Sequence, residues 1–221
     1  MKGCVLIPAY NEEMRIGYVA GEIRSKGLDC VVIDDGSLDK TKVMARQAGA
    51  YVIFHSENLG KGISLRDGFN YALTRDYDFV ITMDGDGQHH PDEIENFIRA
   101  AEDSDAEIIL GNRMWNPKDM PLKRRLTNWF MSMLISLMAR QYIPDSQCGF
   151  RLLKTGVLKN VALITDRYEI ESEVLIKASK RGFKIKSIPI KSIYKGQKSQ
   201  ICPFRDTLRF ISFILNAGFK K

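Results

Sequence analysis

The chain has 221 residues, of which 44% are hydrophobic and 27% are charged, and its formal net charge is +6. This composition is typical of a globular protein with a sizeable apolar core, and the length favours one domain with an appended C-terminal element. No apolar stretch approaches the roughly 18–20 residues that a membrane-spanning helix needs, which argues against a chain built on transmembrane helices.

Strand-like and helical patterns alternate over the first half of the chain. Apolar runs predict strands at 3–8, 29–34, 50–54, 78–83 and 106–110, with helical patterns between them at about 12–26, 38–48, 60–75 and 91–103. Because the first strand begins almost at the N-terminus, we expect no secretory signal peptide. The alternation predicts an α/β fold with a mostly parallel sheet flanked by helices.

Polar segments follow three of these strands. PAYNE (8–12) comes after the first strand, DDGS (34–37) after the second, and DGD (84–86) after the fourth. In open parallel sheets, ligands bind beyond the carboxyl ends of the strands. We therefore expect the three segments to share one rim of the sheet and to form the functional site.

The pattern changes after Gly111. The segment 122–140 places large apolar residues at helical spacing opposite polar ones, with the basic run 123–125 at its start. One interpretation is a helix that covers the core. The other is a helix in a membrane interface, which Trp129, Phe130 and the basic run favour. A further helix is predicted at 167–181 and a strand at 183–190.

The C-terminal part of the chain is strongly basic. From Lys177 onward, twelve Lys and Arg residues stand against one acid, a local charge of +11 that leaves the rest of the chain near −5. We predict an amphipathic basic helix over 201–221. Such a tail favours an anionic partner, either phosphate or an anionic membrane face, although a solvated basic surface is an equal alternative. It lacks a nucleic-acid-reading motif, so we expect no nucleic acid.

The cysteines indicate the compartment. None of the four is paired in a C-x-x-C motif, and two lie in predicted buried strands. We therefore expect reduced thiols in a cytoplasmic protein. The four are Cys4, Cys30, Cys148 and Cys202.

The stretch DGDGQHHPDEIE, which begins at Asp84, is unusually acidic and suggests a cation site. An EF-hand would require glycine where His89 stands and a helix, rather than a strand, before the loop. A dehalogenase-type phosphatase normally carries its D-x-D after the first strand, whereas this one follows the fourth. The remaining interpretation of this stretch is the D-x-D motif of a glycosyltransferase. Asp84, Asp86 and Gln88 alternate on an extended turn and can converge on one Mg²⁺ or Mn²⁺ that also binds a diphosphate.

Six motifs resemble those of family 2 glycosyltransferases of the GT-A fold and, within them, the dolichol-phosphate mannose synthase-like group. In the family's order they are IPAYNEE (7–13), VVIDDGSLDKT (31–41), NLGKG (58–62), MDGDGQHHP (83–91), GNR (111–113) and DSQCGFR (145–151). The resemblance covers about residues 3–155. It implies a GT-A catalytic domain, which we place at 1–200, a divalent cation, Mg²⁺ or Mn²⁺, and a nucleotide-sugar donor, GDP-mannose or a UDP-sugar.

Matching positions imply roles for individual residues. Those implied to bind the nucleotide sugar are Pro8, Tyr10, Glu12, Ile33, Asp35, Asp84, Gly85, Asp86, Gln88, Arg113 and Lys198. Those implied to hold the metal are Asp84, Asp86 and Gln88. Asp35 also has an independent case, because a carboxylate after a strand can accept hydrogen bonds from both ribose hydroxyls. Lys61 is either a phosphate contact or part of a Gly-rich turn.

One position departs from the family pattern. A family arginine is replaced by Ser192, so part of the diphosphate clamp has no assigned residue, and Lys195 or Arg205 are the candidates to substitute for it.

The catalytic residues that the transfer requires depend on whether the acceptor is a phosphate or a sugar hydroxyl. A phosphate monoester is largely dianionic at neutral pH, with a second pKa of about 6, so cations matter more than a general base. The predicted catalytic residues are Asp86, Asp145 and Arg113, and the predicted acceptor contacts are Arg151 and Arg125. Asp145 is the best carboxylate for positioning or activating an acceptor, and the next candidates are Glu169, Glu171 and Glu173.

Three functions are open at this point. The first is an inverting, metal-dependent transfer of mannose or glucose to a polyprenyl phosphate, which requires peripheral contact with the cytoplasmic face of a membrane. The second is transfer to a sugar hydroxyl in polysaccharide or glycolipid synthesis, which requires a general base. The third is an inactive nucleotide-binding module, which the intact D-x-D argues against.

Overall fold

The computed structural model describes residues 1–191, which form a seven-stranded sheet with helices on both faces. The strands are β1 (Gly3–Ala9), β2 (Asp29–Asp34), β3 (Tyr51–Phe54), β4 (Phe79–Thr82), β5 (Ile108–Asn112), β6 (Arg151–Lys154) and β7 (Ile185–Pro189). The helices are α1 (Ile16–Ser25), α2 (Thr41–Gln47), α3 (Lys61–Leu73), α4 (Ile94–Glu102), α5 (Leu122–Ala139), α6 (Thr155–Asn160) and α7 (Ile170–Lys180). Ser192, Lys195, Lys198, Arg205 and the helix predicted over 201–221 lie outside the described residues.

Alternate residues of the central strands enter two separate hydrophobic cores. In β1, Cys4 and Leu6 belong to one core and Val5 and Ile7 to the other, because successive side chains of a strand point to opposite faces of the sheet. The first core also contains residues of α3, α5, α6 and α7, and the second contains residues of α1, α2 and α4. A sheet covered on both faces explains the uninterrupted apolar runs of its central strands.

The three polar segments share one rim, as predicted. The strand order is β3-β2-β1-β4-β6-β5-β7. β1 runs parallel to both β2 and β4, with Pro8 opposite Ile33 and Leu6 opposite Thr82. The segments that follow these three strands therefore leave the sheet at the same edge.

Strand β6 was not predicted, and it is antiparallel to both of its neighbours. Arg151 pairs with Thr82 of β4 and with Leu110 of β5. Because β6 runs in the opposite direction, it starts at the edge where β4 and β5 end. The DSQCGFR segment (145–151) is thereby brought to the same rim as the D-x-D loop.

Two helices differ from the sequence predictions. α1 begins at Ile16 rather than near residue 12, because Glu12 N donates to Thr41 Oγ1 (2.8 Å) and Glu13 N to Asp39 Oδ2 (3.1 Å) instead of joining a helix. The short helix α6 was not predicted. No helix among residues 1–191 is long and apolar enough to cross a membrane.

Candidate active site

The segment after β1 presents partly buried side chains at the rim. Pro8, Tyr10 and Glu12, which we predicted to border the nucleotide, are all of intermediate exposure. The hydrogen bond from Glu12 N to Thr41 Oγ1 fixes the backbone of this segment against the start of α2. Burial raises the pKa of Glu12, and the negative charge of Asp86 raises it further. Glu12 and the D-x-D loop therefore belong to one acidic region.

The carboxylate of Asp35 forms hydrogen bonds with other residues of the protein. Its Oδ1 lies 2.8 Å from His55 Nδ1 and accepts from Leu59 N (2.9 Å), while Oδ2 accepts from Gly60 N (2.8 Å). The carboxylate is almost fully buried, so its contact with a ribose stays a prediction. Ile33, predicted to contact the base, has no exposed surface and packs in the core beside α3. The described conformation does not support that contact.

The D-x-D loop lies directly beyond β4. Asp86 Oδ1 accepts a hydrogen bond from Gln88 N (2.9 Å), which fixes the turn between them. Asp84 Oδ1 lies 2.5 Å from Lys61 Nζ. Gly85 is buried against β1, where an added Cβ would lie 3.2 Å from a β1 side chain. Packing against β1 thus gives a structural reason for glycine at a position that we assigned to donor binding.

Lys61 joins the D-x-D loop to α7. Its Nζ lies 2.6 Å from Glu171 Oε1 as well as 2.5 Å from Asp84 Oδ1. Burial favours the neutral amine, but the charges of the two carboxylates outweigh it and raise the pKa of Lys61. Gly149 lies beside them, where an added Cβ would be 2.8 Å from Asp84 Oδ2 and 3.0 Å from Glu171 Oε1. A side chain at position 149 would therefore displace the Asp84 carboxylate from its described position.

The pKa values of the two D-x-D carboxylates are shifted in opposite directions. Burial raises the pKa of Asp86, and the charge of Asp84 adds to the effect. Burial also opposes ionisation of Asp84, but the charge of Lys61 outweighs it and lowers the pKa of that carboxyl. Burial lowers the pKa of His89 to about 4. His89 is therefore neutral, and its Nδ1 accepts a hydrogen bond from Asp84 N (3.5 Å). This bond supports the backbone of the D-x-D loop.

The chemistry of the D-x-D loop fits a divalent metal that is shared with a substrate. Within residues 1–191, no group of three or more His, Cys, Asp or Glu side chains is placed to hold a metal. Asp84, Asp86 and Gln88 can supply hard oxygen ligands, and the ammonium of Lys61 already lies against Asp84. Mg²⁺ is commonly bound by one or two carboxylates together with waters and substrate phosphates. An incomplete protein ligand set is therefore compatible with such an ion.

Arg113 and Asp145 form a buried ion pair at the end of β5. Arg113 donates from Nε to Asp145 Oδ2 (2.8 Å), from Nη2 to Oδ1 (2.9 Å) and from its backbone N to Oδ2 (3.0 Å), and Asn128 Nδ2 donates to Oδ1 (2.8 Å). Asp145 is 0% exposed and Arg113 is 6% exposed. Burial opposes ionisation of Asp145, but the hydrogen bonds and charge of Arg113 outweigh it and lower the pKa of the carboxyl.

This geometry changes the role assigned to Asp145. We predicted that it positions or activates the acceptor, yet it has no surface through which an acceptor can reach it. A carboxylate with a lowered pKa is also a weak base. In this conformation Asp145 orients Arg113 instead.

The predicted acceptor contacts fall in different places. Arg151 is 2% exposed, and it donates to Cys148 O (2.7 Å) and Ser146 O (2.8 Å). It therefore stabilises the loop before β6, and the described conformation does not support contact with an acceptor. Arg125 is exposed in the first turn of α5.

Two residues of the site were not among the predicted binding residues. Lys61 had a signal, because NLGKG places it at the start of a helix near the rim. The sequence indicates Glu171 only as a candidate acceptor carboxylate ranked after Asp145, and its helix lies far along the chain from the D-x-D. Tertiary packing alone brings Glu171 against Lys61.

Comparisons with known proteins show which family the chain is similar to. A family model described as "Glycosyl transferase family 2" matches residues 4–162. An uncharacterised protein of Methanocaldococcus jannaschii is 38% identical over 196 residues, 86% of this chain and 81% of that protein. A protein of Methanococcus voltae named UDP-N-acetylglucosamine–dolichyl-phosphate N-acetylglucosaminyltransferase is 34% identical over 213 residues, 86% of this chain and 85% of that protein.

A solved structure supports the fold. Glucosyl-3-phosphoglycerate synthase of Mycobacterium tuberculosis is 20% identical and superposes with a TM-score of 0.78, covering 100% of this chain and 82% of that one. This likeness confirms the predicted GT-A architecture. The same synthase has been crystallised with Mn²⁺, UDP and glucosyl-3-phosphoglycerate.

Proposed function

The chain belongs to glycosyl transferase family 2, and from that premise we propose that it transfers a hexose from a nucleotide-diphosphate sugar to a polyprenyl phosphate, with inversion and with Mg²⁺ or Mn²⁺. The observation that carries the proposal is the rim itself. There Asp84 of the D-x-D lies beside the ammonium of Lys61, and the ion-paired Arg113 follows the nearby strand β5. A relative named for a dolichyl-phosphate acceptor supports the acceptor class.

The donor half of the site needs positive charge where the diphosphate departs. Asp84, Asp86 and Gln88 would hold the divalent ion, which when bound neutralises the leaving nucleoside diphosphate. Lys61 brings a fixed ammonium to the same loop, and Asp145 holds the guanidinium of Arg113 in one orientation. Cations fixed in advance at a site of developing charge stabilise the transition state without reorganising during the reaction.

The state of Asp145 favours a phosphate acceptor over a sugar hydroxyl. A hydroxyl acceptor needs a general base. Asp145, the carboxylate that the sequence favours for activating an acceptor, is buried and ion-paired, and its pKa is lowered. A phosphate monoester arrives already ionised and needs cations to position it. Because a polyprenyl phosphate resides in a bilayer, the proposal includes peripheral contact with a membrane at its cytoplasmic face.

The sugar and the nucleotide need a direct test. GDP-mannose follows from the subgroup resemblance, and UDP-glucose or another UDP-sugar is the alternative. The name of the N-acetylglucosaminyl relative adds UDP-N-acetylglucosamine as a candidate. Thermal-shift measurements with each nucleotide sugar, with and without Mn²⁺ or Mg²⁺, identify the donor. We expect one donor to raise Tm only when the metal is present, and Asp84→Asn with Asp86→Asn to abolish that rise. Asp119→Asn, at an exposed position, is the matched control.

Product analysis then separates the candidate functions. Labelled sugar transferred to a lipid fraction in a mild-acid-labile linkage supports the proposal. A labelled sugar-to-sugar product indicates transfer to a hydroxyl. Donor binding without turnover on either acceptor indicates an inactive nucleotide-binding module. Stabilisation by the donor that is unchanged in the Asp84 and Asp86 variants would overturn the metal-bridged site.

A further inference from the structure

Helix α5 packs with its polar side inward. Its buried residues are Asn128, Ser132, Ile135 and Ala139. Asn128 donates to Asp145, and Ser132 Oγ accepts from Ser146 N (2.9 Å). These bonds explain why amide and hydroxyl side chains are buried without cost from unpaired polar groups. The helix is thus attached to the site loop 145–146 through hydrogen bonds.

Six large apolar residues lie on the side of α5 opposite these buried residues and are exposed. They are Leu122, Leu126, Trp129, Phe130, Met133 and Leu137, with exposures between 39% and 69%. At 3.6 residues per turn they fall within an arc of about 100°, which is the width of a complete apolar face. This face is defined here as the α5 apolar face. A contiguous exposed apolar surface of this kind marks an interaction site.

The charges on α5 select the kind of partner. Lys123, Arg124 and Arg125 are exposed in the first turn, Arg140 is exposed just after the last, and no acid occurs between Leu122 and Ala139. Cations in a first turn oppose the helix dipole, so helix stability does not account for them. An apolar face with Trp and Phe, bordered by basic residues, is the composition of helices that lie in the interface of an anionic bilayer.

A second copy of the chain fits this face less well. Pairing two α5 helices about a two-fold axis would bring their basic residues close together, without any acid on either helix to neutralise them. Like charges across an interface oppose association. An anionic lipid surface satisfies both the apolar and the basic parts of the face.

We propose that the α5 apolar face docks the protein on an anionic lipid bilayer, with Trp129 inserted at the level of the headgroups. The inference deepens the proposed function, because it assigns the membrane contact that a polyprenyl acceptor requires to one surface. The polar side of the same helix holds Asp145, and through it Arg113. Docking would therefore place the site loop 145–146 at a fixed orientation to the bilayer from which the acceptor comes.

Tryptophan fluorescence tests the insertion directly. The sequence has two tryptophans, so Trp115→Phe leaves Trp129 as the only one. With vesicles of phosphatidylcholine and phosphatidylglycerol we expect a blue shift of Trp129 emission and quenching by bromine-labelled acyl chains. Pure phosphatidylcholine vesicles, or high salt, should weaken both signals. Unchanged emission with the anionic vesicles would overturn the proposal.

Vesicle flotation with matched double variants identifies the surface. Leu126→Gln with Leu137→Gln changes two residues of the α5 apolar face that are 58% and 69% exposed. We expect vesicle binding about tenfold weaker or more, because buried apolar area sets interfacial affinity. Tyr18→Gln with Val43→Gln, exposed residues of α1 and α2, should bind like the wild type. Both double variants should keep the wild-type Tm, since they change exposed side chains.

The outcomes separate this inference from the proposed function. Loss of vesicle binding in the α5 variant, with unchanged transfer to a detergent-dispersed short polyprenyl phosphate, supports both. If the protein binds vesicles through α5 but transfers no sugar to either acceptor, the docking surface is supported and the proposed glycosyltransferase function is rejected. Equal vesicle binding by wild type and the α5 variant rejects the surface. A dimer in light scattering that dissociates in the α5 variant, without vesicle binding, assigns the face to a second copy instead.

Discussion

Replacing Asp145 with asparagine removes the charge that neutralises the buried guanidinium of Arg113. The wild-type carboxylate accepts four hydrogen bonds, three of them from Arg113 and one from Asn128. It is 0% exposed, so water cannot replace it. Removing one partner of a buried ion pair costs about 3–5 kcal/mol. For a domain of this size, roughly 2–4 °C of Tm corresponds to each kcal/mol, so we expect Asp145→Asn to lower Tm by about 6–20 °C.

Urea denaturation at neutral pH measures the loss in the free energy of unfolding, and Asp119→Asn, an exposed position, should leave the midpoint unchanged. Arg113→Met combined with Asp145→Leu should be more stable than Asp145→Asn, because it leaves no buried unpaired charge. A loss of less than about 1 kcal/mol in Asp145→Asn, the range of exposed pairs, would refute the reasoning.

The same ion pair predicts a pH dependence. The pKa of Asp145 is lowered in the folded protein, whereas an unfolded aspartate titrates near 3.9. The contribution of Asp145 is therefore fully present above about pH 4 and is lost as the pH falls through its folded-state pKa. Asp145→Asn should lack this acid-dependent component of the free energy of unfolding, and an unaltered acid dependence in that variant would contradict the assignment.

Two further substitutions test the packing around the site. Gly149→Ala should strongly reduce metal-dependent donor binding, because its Cβ would lie 2.8 Å from Asp84 Oδ2. The control is Gly156→Ala, whose Cβ would meet nothing within 4 Å and which should leave donor binding unchanged. Equal donor binding by the two variants would argue against crowding at Asp84. Glu173→Gln should destabilise the protein by about 1–3 kcal/mol, because the buried carboxylate accepts from Thr165 N and Oγ1. The pKa of Glu173 is lowered in the folded protein. Its contribution to the free energy of unfolding is therefore present above the unfolded pKa and is lost as the pH falls through the folded-state pKa. Urea midpoints measured against pH should show this Glu173-dependent loss in the wild type and not in Glu173→Gln.

The order of elements and the position of the rim could be predicted from residue patterns. Apolar runs separated by helical periods define β1 to β5 and α1 to α4, because burial on both faces requires uninterrupted apolar strands. Parallel neighbours then bring PAYNE, DDGS and DGD to one edge. The turn after β2 is also local, since Asp34 Oδ1 accepts from Ser37 N three residues later (3.0 Å). The D-x-D and its motif context were sufficient to indicate the family.

Burial of individual site residues could not be predicted in this way. Asp35 and Asp145 occupy motif positions that suggest contact with substrate, but their carboxylates are buried by segments distant in sequence. Arg113 lies 32 residues from Asp145, and a motif does not indicate which distant donor a carboxylate will meet. The antiparallel direction of β6, which brings Asp145 to the rim, likewise depends on pairing with β4 and β5.

The sequence by itself determined the α/β order, the shared rim, the D-x-D loop and the amphipathic period of α5, because each follows from residues near one another along the chain. Tertiary structure alone decided that Lys61 lies between Asp84 and Glu171, that Asp145 orients Arg113, and that α5 turns its apolar face outward. Periodicity shows that a helix has two faces, but hydrogen bonds with a distant loop select the face that is buried. Asn128 donates to Asp145, seventeen residues away, and Ser132 accepts from Ser146 N, fourteen residues away.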